Sequence, residues 1–232
     1  MSTKRRSFTI RYFAITKKNQ KRRFYTKIMK KELNNLIQLL RTDKILKFDQ
    51  CVEENDLVIL YCKLDNLIKN LDHLKRSDTF KLKQLIDIIG VDYPNKENRF
   101  ELIYTLLSHE YNQRLAIKIV LNENNIVPSV CNVFSSANWL EREVFDMYGI
   151  KFSNHPDLRR ILTDYQFEGF PLRKDFPLTG FKEVRYDPEF KKVTYGPVKL
   201  QQDYRDFDFE SPWRGSEYIV SEQAKNKDLK NE

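Results

Sequence analysis

The stretch RFELIYTLLSHEYNQRLAIKIVL, residues 99–121, decides the fold. In its second half Leu115, Ile117, Ile119 and Leu121 alternate with other residues, the period of a strand with one buried face. RFELIYTLL before it is a second strand, and HEYNQ joins the two. Working outward, ILKFDQCV and LVILYCKL flank the turn-rich EEND and predict a hairpin, while FKLKQLIDII at 80–89 is ambiguous between strand and helix. Met29, Leu33, Leu36, Ile37 and Leu40 recur at helical spacing. Asp65 is the expected cap of a second helix with Leu67, Ile68, Leu71 and Leu74 on one face. Two helices against four or five strands give an α+β fold, a small mixed α/β sandwich domain over residues 32–126.

From Pro128 the pattern turns helical, with Val133, Ala137, Leu140, Val144 and Met147 along one side. Gly149 supplies the left-handed residue past the helix end, and Ile150 folds back on its last turn. A short turn opened by Pro156 follows, so residues 127–162 form a helix-and-turn unit. Glu143 and Asp146 are three apart and Arg142 and Asp146 four apart, so they share one helix surface. Taken alone, that surface reads as a solvated face.

Residues 163–232 form a long extended C-terminal arm. The part from 164 to 213 holds five of the eight prolines and three of the six glycines, with no strand or helix periodicity longer than a few residues. It also holds 12 of the 30 aromatics, which disordered linkers lack. Burying half of them at about 150 Å² each would hide roughly 900 Å², one partner's share of an ordinary protein interface. The arm is therefore expected to lie on its own domain and mostly on another protein.

The net charge of +8 is unevenly placed. Residues 1–31 hold twelve Lys and Arg and no acid, leaving 29 basic and 33 acidic side chains in a mildly acidic body. Such an arm has the composition of a mitochondrial transit sequence. With the arm present from Met1, an uncleaved basic extension that docks on RNA, anionic lipid or an acidic protein is the favoured expectation. The longest apolar run, LVILYC at 57–62, is far short of the roughly 20 residues that span a bilayer. Cys51, Cys62 and Cys131 form no closely spaced pair, and His73, His109 and His155 show no zinc spacing, so no metal site is expected. Neither a phosphate-cradling loop nor a dinucleotide glycine motif is present.

VPSVCNVFSSANWLEREVFDMYGIKFSNHPDLRRIL, followed by FEGFPLRKDFPLTGFKEVRYD and FDFESPW, closely resembles the 30 kDa (NuoC-type) subunit family of respiratory NADH:ubiquinone oxidoreductase, complex I. The family pattern is met by Glu141, Arg142, Glu143, Asp146, Met147, Tyr148, His155, Arg159, Ile161 and Leu162, and the likeness covers about residues 127–213. The resemblance implies a subunit of the H+-translocating NADH:ubiquinone reductase with no catalytic residue of its own. It would be a scaffold that binds no cofactor in a complex using FMN, iron-sulphur clusters and ubiquinone. Its partners would be the quinone-site (NuoD-type) subunit and neighbouring iron-sulphur subunits, and its place the matrix side of the mitochondrial inner membrane, touching the membrane only through the complex. On this reading Glu141, Arg142, Glu143, Asp146, His155, Arg159, Arg173, Lys174, Asp175, Phe176 and Trp213 are subunit-interface residues. Pro171 and Pro177 stiffen the PLRKDFP segment, so little entropy is lost on docking. The competing readings are an organellar RNA-binding protein that uses the basic arm, and the equivalent subunit of a bacterial complex, a plastid complex or a membrane-bound hydrogenase.

Overall fold

The computed structural model describes residues 32–200 and residue 202. Met29 and Trp213, expected in the first helix and in the interface, lie outside the described residues.

The two strands read from residues 99–121 pair antiparallel as β4 (Phe100–Ser108) and β5 (Gln113–Leu121), with Tyr104 opposite Ile117. Phe100, Leu102, Tyr104 and Leu106 share one buried face with Leu115, Ile117, Ile119 and Leu121. β1 (Gln50–Glu54) and β2 (Leu57–Tyr61) form the expected hairpin, and β3 (Gln84–Asp92) resolves the ambiguous stretch as a strand. Together they make a five-stranded sheet in the order β1-β2-β5-β4-β3, with β2 parallel to β5 and every other pair antiparallel. Asn55 and Asp56, the two residues between β1 and β2, both take positive φ, 51° and 63°, as a two-residue hairpin turn of this hand requires.

The core lies between the buried face of this sheet and three helices. Helix α1 (32–42) buries Leu36 and Leu40, α2 (Leu67–Arg76) buries Leu67, Leu71 and Leu74, and α3 (Ala137–Tyr148) buries Ala137 and Val144. The α+β architecture expected from the sequence is therefore the one observed.

Several local expectations are corrected. Residues 45–49 are not strand, because the backbone of 45–47 is satisfied by side chains. The Asp43 carboxylate accepts from the Ile45 and Leu46 N–H groups, and Asn70 pairs with both N–H and carbonyl of Lys47. Asp65 sits inside a 3-10 turn rather than capping α2, whose first boundary residue is Asn66 with no side-chain cap. Ile68 is 40% exposed and so off the buried face.

The helix expected from Pro128 starts only at Ala137. Residues Ile126–Pro128 form a short strand, β6, parallel to β7 (Lys151–Ser153), and the turn at 130–134 closes on the Val130 carbonyl. The arm expected to lack strands contains a hairpin, β8 (Lys182–Asp187) with β9 (Lys192–Pro197). The chain divides into two compact units, one running to Leu178 and one beginning at Thr179.

Candidate subunit interface

Helix α3 ends where Gly149 adopts φ 77° and returns its N–H to the Phe145 carbonyl at 2.8 Å. The charges expected to share an exposed face instead point mostly inward. Glu141 and Asp146 are fully buried and Arg142 is 7% exposed, whereas Glu143 is exposed. The solvated-face reading fails because the chain after α3 folds back over that side of the helix.

Glu141 holds the segment before α3. Its carboxylate accepts from the Val130 N–H and the Ser129 hydroxyl, both at 2.7 Å. Burial pushes its pKa up, only partly offset by those two bonds and the nearby His155. Asp146 holds the segment after α3. It accepts from the N–H groups of Ile161, Leu162 and Thr163, from the Thr163 hydroxyl and from Arg160 at 2.8 Å. Burial alone would raise this carboxyl, but the Thr163, Arg160 and backbone bonds outweigh it and hold the pKa down to about 2. Between them Arg142 donates to the carbonyls of Arg159 and Arg160 and lies 5.2 Å from the Trp139 ring.

A second clasp fixes residues 170–176. Arg99, at the start of β4, grips the buried Asp92 through two nitrogens and also pairs with Glu123 and Asp175. The bond from Arg99, with one from the Lys174 N–H, holds Asp92 below the usual carboxylate range. Arg173 donates to the Tyr148 carbonyl at 2.6 Å and stacks between Phe100 and Phe170. Gly149 and Gly169 make room for two rings. A Cβ on Gly149 would lie 2.5 Å from Phe170, and one on Gly169 would lie 2.7 Å from Phe176.

Among the expected interface residues, Glu141, Arg142, Asp146, His155, Arg173 and Asp175 are thus engaged within the chain. PLRKDFP is seated on its own domain through Arg173, the Lys174 N–H and Asp175. Glu143 and the Lys174 side chain face outward, Arg159 is exposed and pairs with Asp157, and half-buried Phe176 packs on Phe167. Sequence reasoning missed Arg99, Asp92 and Arg160. The opposite charges of Asp92 and Arg99 on either side of the YPNKEN turn were the available signal for the first two.

Cys131, Glu141 and His155 converge, with one ligand-type atom from each within 4.8 Å of the others. These atoms are already committed. His155 Nδ1 accepts from the Asp157 N–H at 3.0 Å, so the proton sits on Nε2, which donates to the Asn138 carbonyl at 3.1 Å. Both Glu141 oxygens are hydrogen-bonded. The trio fits a hydrogen-bonded hub better than a metal site.

With the loops latched, Trp139, Leu162 and Tyr165 remain 63%, 64% and 74% exposed on α3 and the segment tied to it. In the second unit Val184 and Tyr186 stand opposite Tyr195 and Val193, and all four are more than half exposed on one face of the hairpin.

Known proteins share this chain's sequence and fold. Residues 60–182 match the family model described as the respiratory-chain NADH dehydrogenase 30 kDa subunit. The chain is 51% identical over 193 residues to the C 1 subunit of NADH-quinone oxidoreductase from Rhizobium meliloti, covering 83% of this chain and 96% of that protein. It is 55% identical over 167 residues to the C subunit of the same enzyme from Paramagnetospirillum magneticum, covering 72% of this chain and 84% of the relative. The Wolbachia C subunit is 58% identical over 158 residues, covering 68% and 83%. A chain in the structure of the membrane-bound sulfane sulfur reductase, an archaeal respiratory membrane complex, shares the fold. The TM-score is 0.51 at 24% identity, over 62% of this chain and 85% of that one.

Proposed function

The chain belongs to the respiratory-chain NADH dehydrogenase 30 kDa subunit family, and from that premise we propose that it is a structural, redox-silent subunit of a proton-pumping NADH:quinone oxidoreductase. In this reading FMN, iron-sulphur clusters and the quinone are held by neighbouring chains. This chain holds the quinone-site subunit and adjacent iron-sulphur subunits in place from the peripheral arm. Its location is the matrix face of the mitochondrial inner membrane, with membrane contact only through the complex. Among the described residues no helix is long and apolar enough to cross a membrane. The nucleic-acid reading depended on residues 1–31, which lie outside both the described residues and the family match.

The observation that carries this reading is the β8–β9 hairpin. A lone two-stranded hairpin is marginal in water at best, and this one leaves Val184, Tyr186, Val193 and Tyr195 uncovered on one face. A neighbouring subunit laid on that face would bury the rings and supply the missing stability. The test is Tyr186→Ser with Tyr195→Ser in the native organism, read by a native gel stained for NADH oxidation. The expected result is loss of most of the large NADH-oxidising complex, with the melting temperature of the isolated chain unchanged. Full assembly of the double variant would contradict the proposal.

A further inference from the structure

We propose that the end of the basic arm, residues 21–31, docks into a hollow on its own domain and covers the edge strand of the sheet. The hollow, about 830 Å³, lies where β2, β3 and β5 begin and β4 ends. This inference is independent of the subunit role proposed above.

Three observations point to this occupant. The first is where the chain enters. Glu32 and Leu33, the first described residues, themselves line the hollow, so the preceding residues are tethered at its mouth. A tether that short makes the local concentration of the arm at the hollow high.

The second is chemical fit. The wall offers Ile86 and Ile89, 42% and 41% exposed, on β3, which is an edge strand of the sheet. It also offers the carboxylates of Glu32, Asp56 and Asp87, against one lining cation, Arg114. Among the described residues no cationic side chain lies within ion-pair distance of those three carboxylates; the Asp87 carboxylate accepts from the N–H of its neighbour Ile88. The arm segment KRRFYTKIMKK brings six Lys and Arg, no acid, and Phe24, Tyr25, Ile28 and Met29.

The third is periodicity. Leu40 and Leu36 are buried in the core and Leu33 reaches the hollow. The same helical spacing carries the stripe upstream to Met29 and then Tyr25. In the docked arm those side chains meet Ile86 and Ile89 while the lysines around them meet Asp56 and Asp87.

The test uses the full chain. A zero-length carbodiimide link read by mass spectrometry is expected between Lys27, Lys30 or Lys31 and Asp56 or Asp87. Hydrogen exchange is then compared between the wild type and the Tyr25→Asp, Met29→Asp double variant. Exchange across residues 86–89 is expected to rise by roughly fivefold or more in the variant as the edge strand loses its cover. Arm lysines that link only to carboxylates elsewhere, or unchanged exchange at 86–89, would each overturn the proposal.

Discussion

At Asp146 one buried carboxylate accepts from three consecutive backbone N–H groups, a hydroxyl and a guanidinium. Its folded pKa of about 2 lies below the ordinary aspartate value of 3.8. A depressed carboxyl adds stability that is full above its unfolded pKa and is lost as pH falls through the folded value. Asp146 therefore contributes about 2 kcal/mol near neutrality. This contribution should fade between about pH 4 and pH 2. Urea unfolding of wild type and Asp146→Asn should differ by about 2 to 4 kcal/mol at pH 7, because Arg160 is left without its counter-charge, and should converge at pH 2. Glu141 acts with the opposite sign, since its raised pKa favours the folded state at low pH and that gain is lost as pH rises. Helical spacing placed Arg142, Glu143 and Asp146 on one surface, but spacing cannot say what lies over a surface. Only Glu143 is left in water, because residues 157–163 return across the helix and bond to its neighbours.

At the scale of elements, the end of α3 is as much a seat as a stop. Gly149 holds φ 77° and leaves space for the Phe170 ring, and the Leu172 N–H reaches the Met147 carbonyl at 3.1 Å. Gly149→Ala adds a left-handed conformational cost of roughly 1 to 2 kcal/mol, and its Cβ would displace Phe170. The expected outcome is faster proteolysis around residues 165–176 and a drop in stability larger than that cost alone. The helix stop, the central β4–β5 pair and the β1–β2 hairpin were legible because each rests on local pattern: a glycine, an alternation, a turn cluster. β6 and β7 were not, since three-residue strands carry no measurable period. The β8–β9 hairpin was missed because its apolar residues, Val184 and Tyr186 among charges and Val193 and Tyr195 around Thr194, alternate over only six positions per strand.

Across the whole molecule the layered α+β architecture was legible, whereas the strand order was not. Placing β5 between β2 and β4, with β2 parallel to β5, depends on a crossover that no local signal encodes. The arm divides in the same way. Residues 163–178 owe their order to carboxylates and arginines of their own domain, while the hairpin from 182 to 197 exposes an apolar face that its own two strands do not cover. The signature charges are internal latches that present a finished surface, and in the proposed subunit role assembly adds only what lies beyond it. Hydrogen exchange of the isolated chain and of the assembled complex tests this most directly. Amides of residues 161–163 and 172–176 should be protected already in the isolated chain, with residues 182–197 gaining protection only on assembly. Free-coil exchange at 161–163 and 172–176 in the isolated chain, slowed only in the complex, would show that the latches do not close without partners.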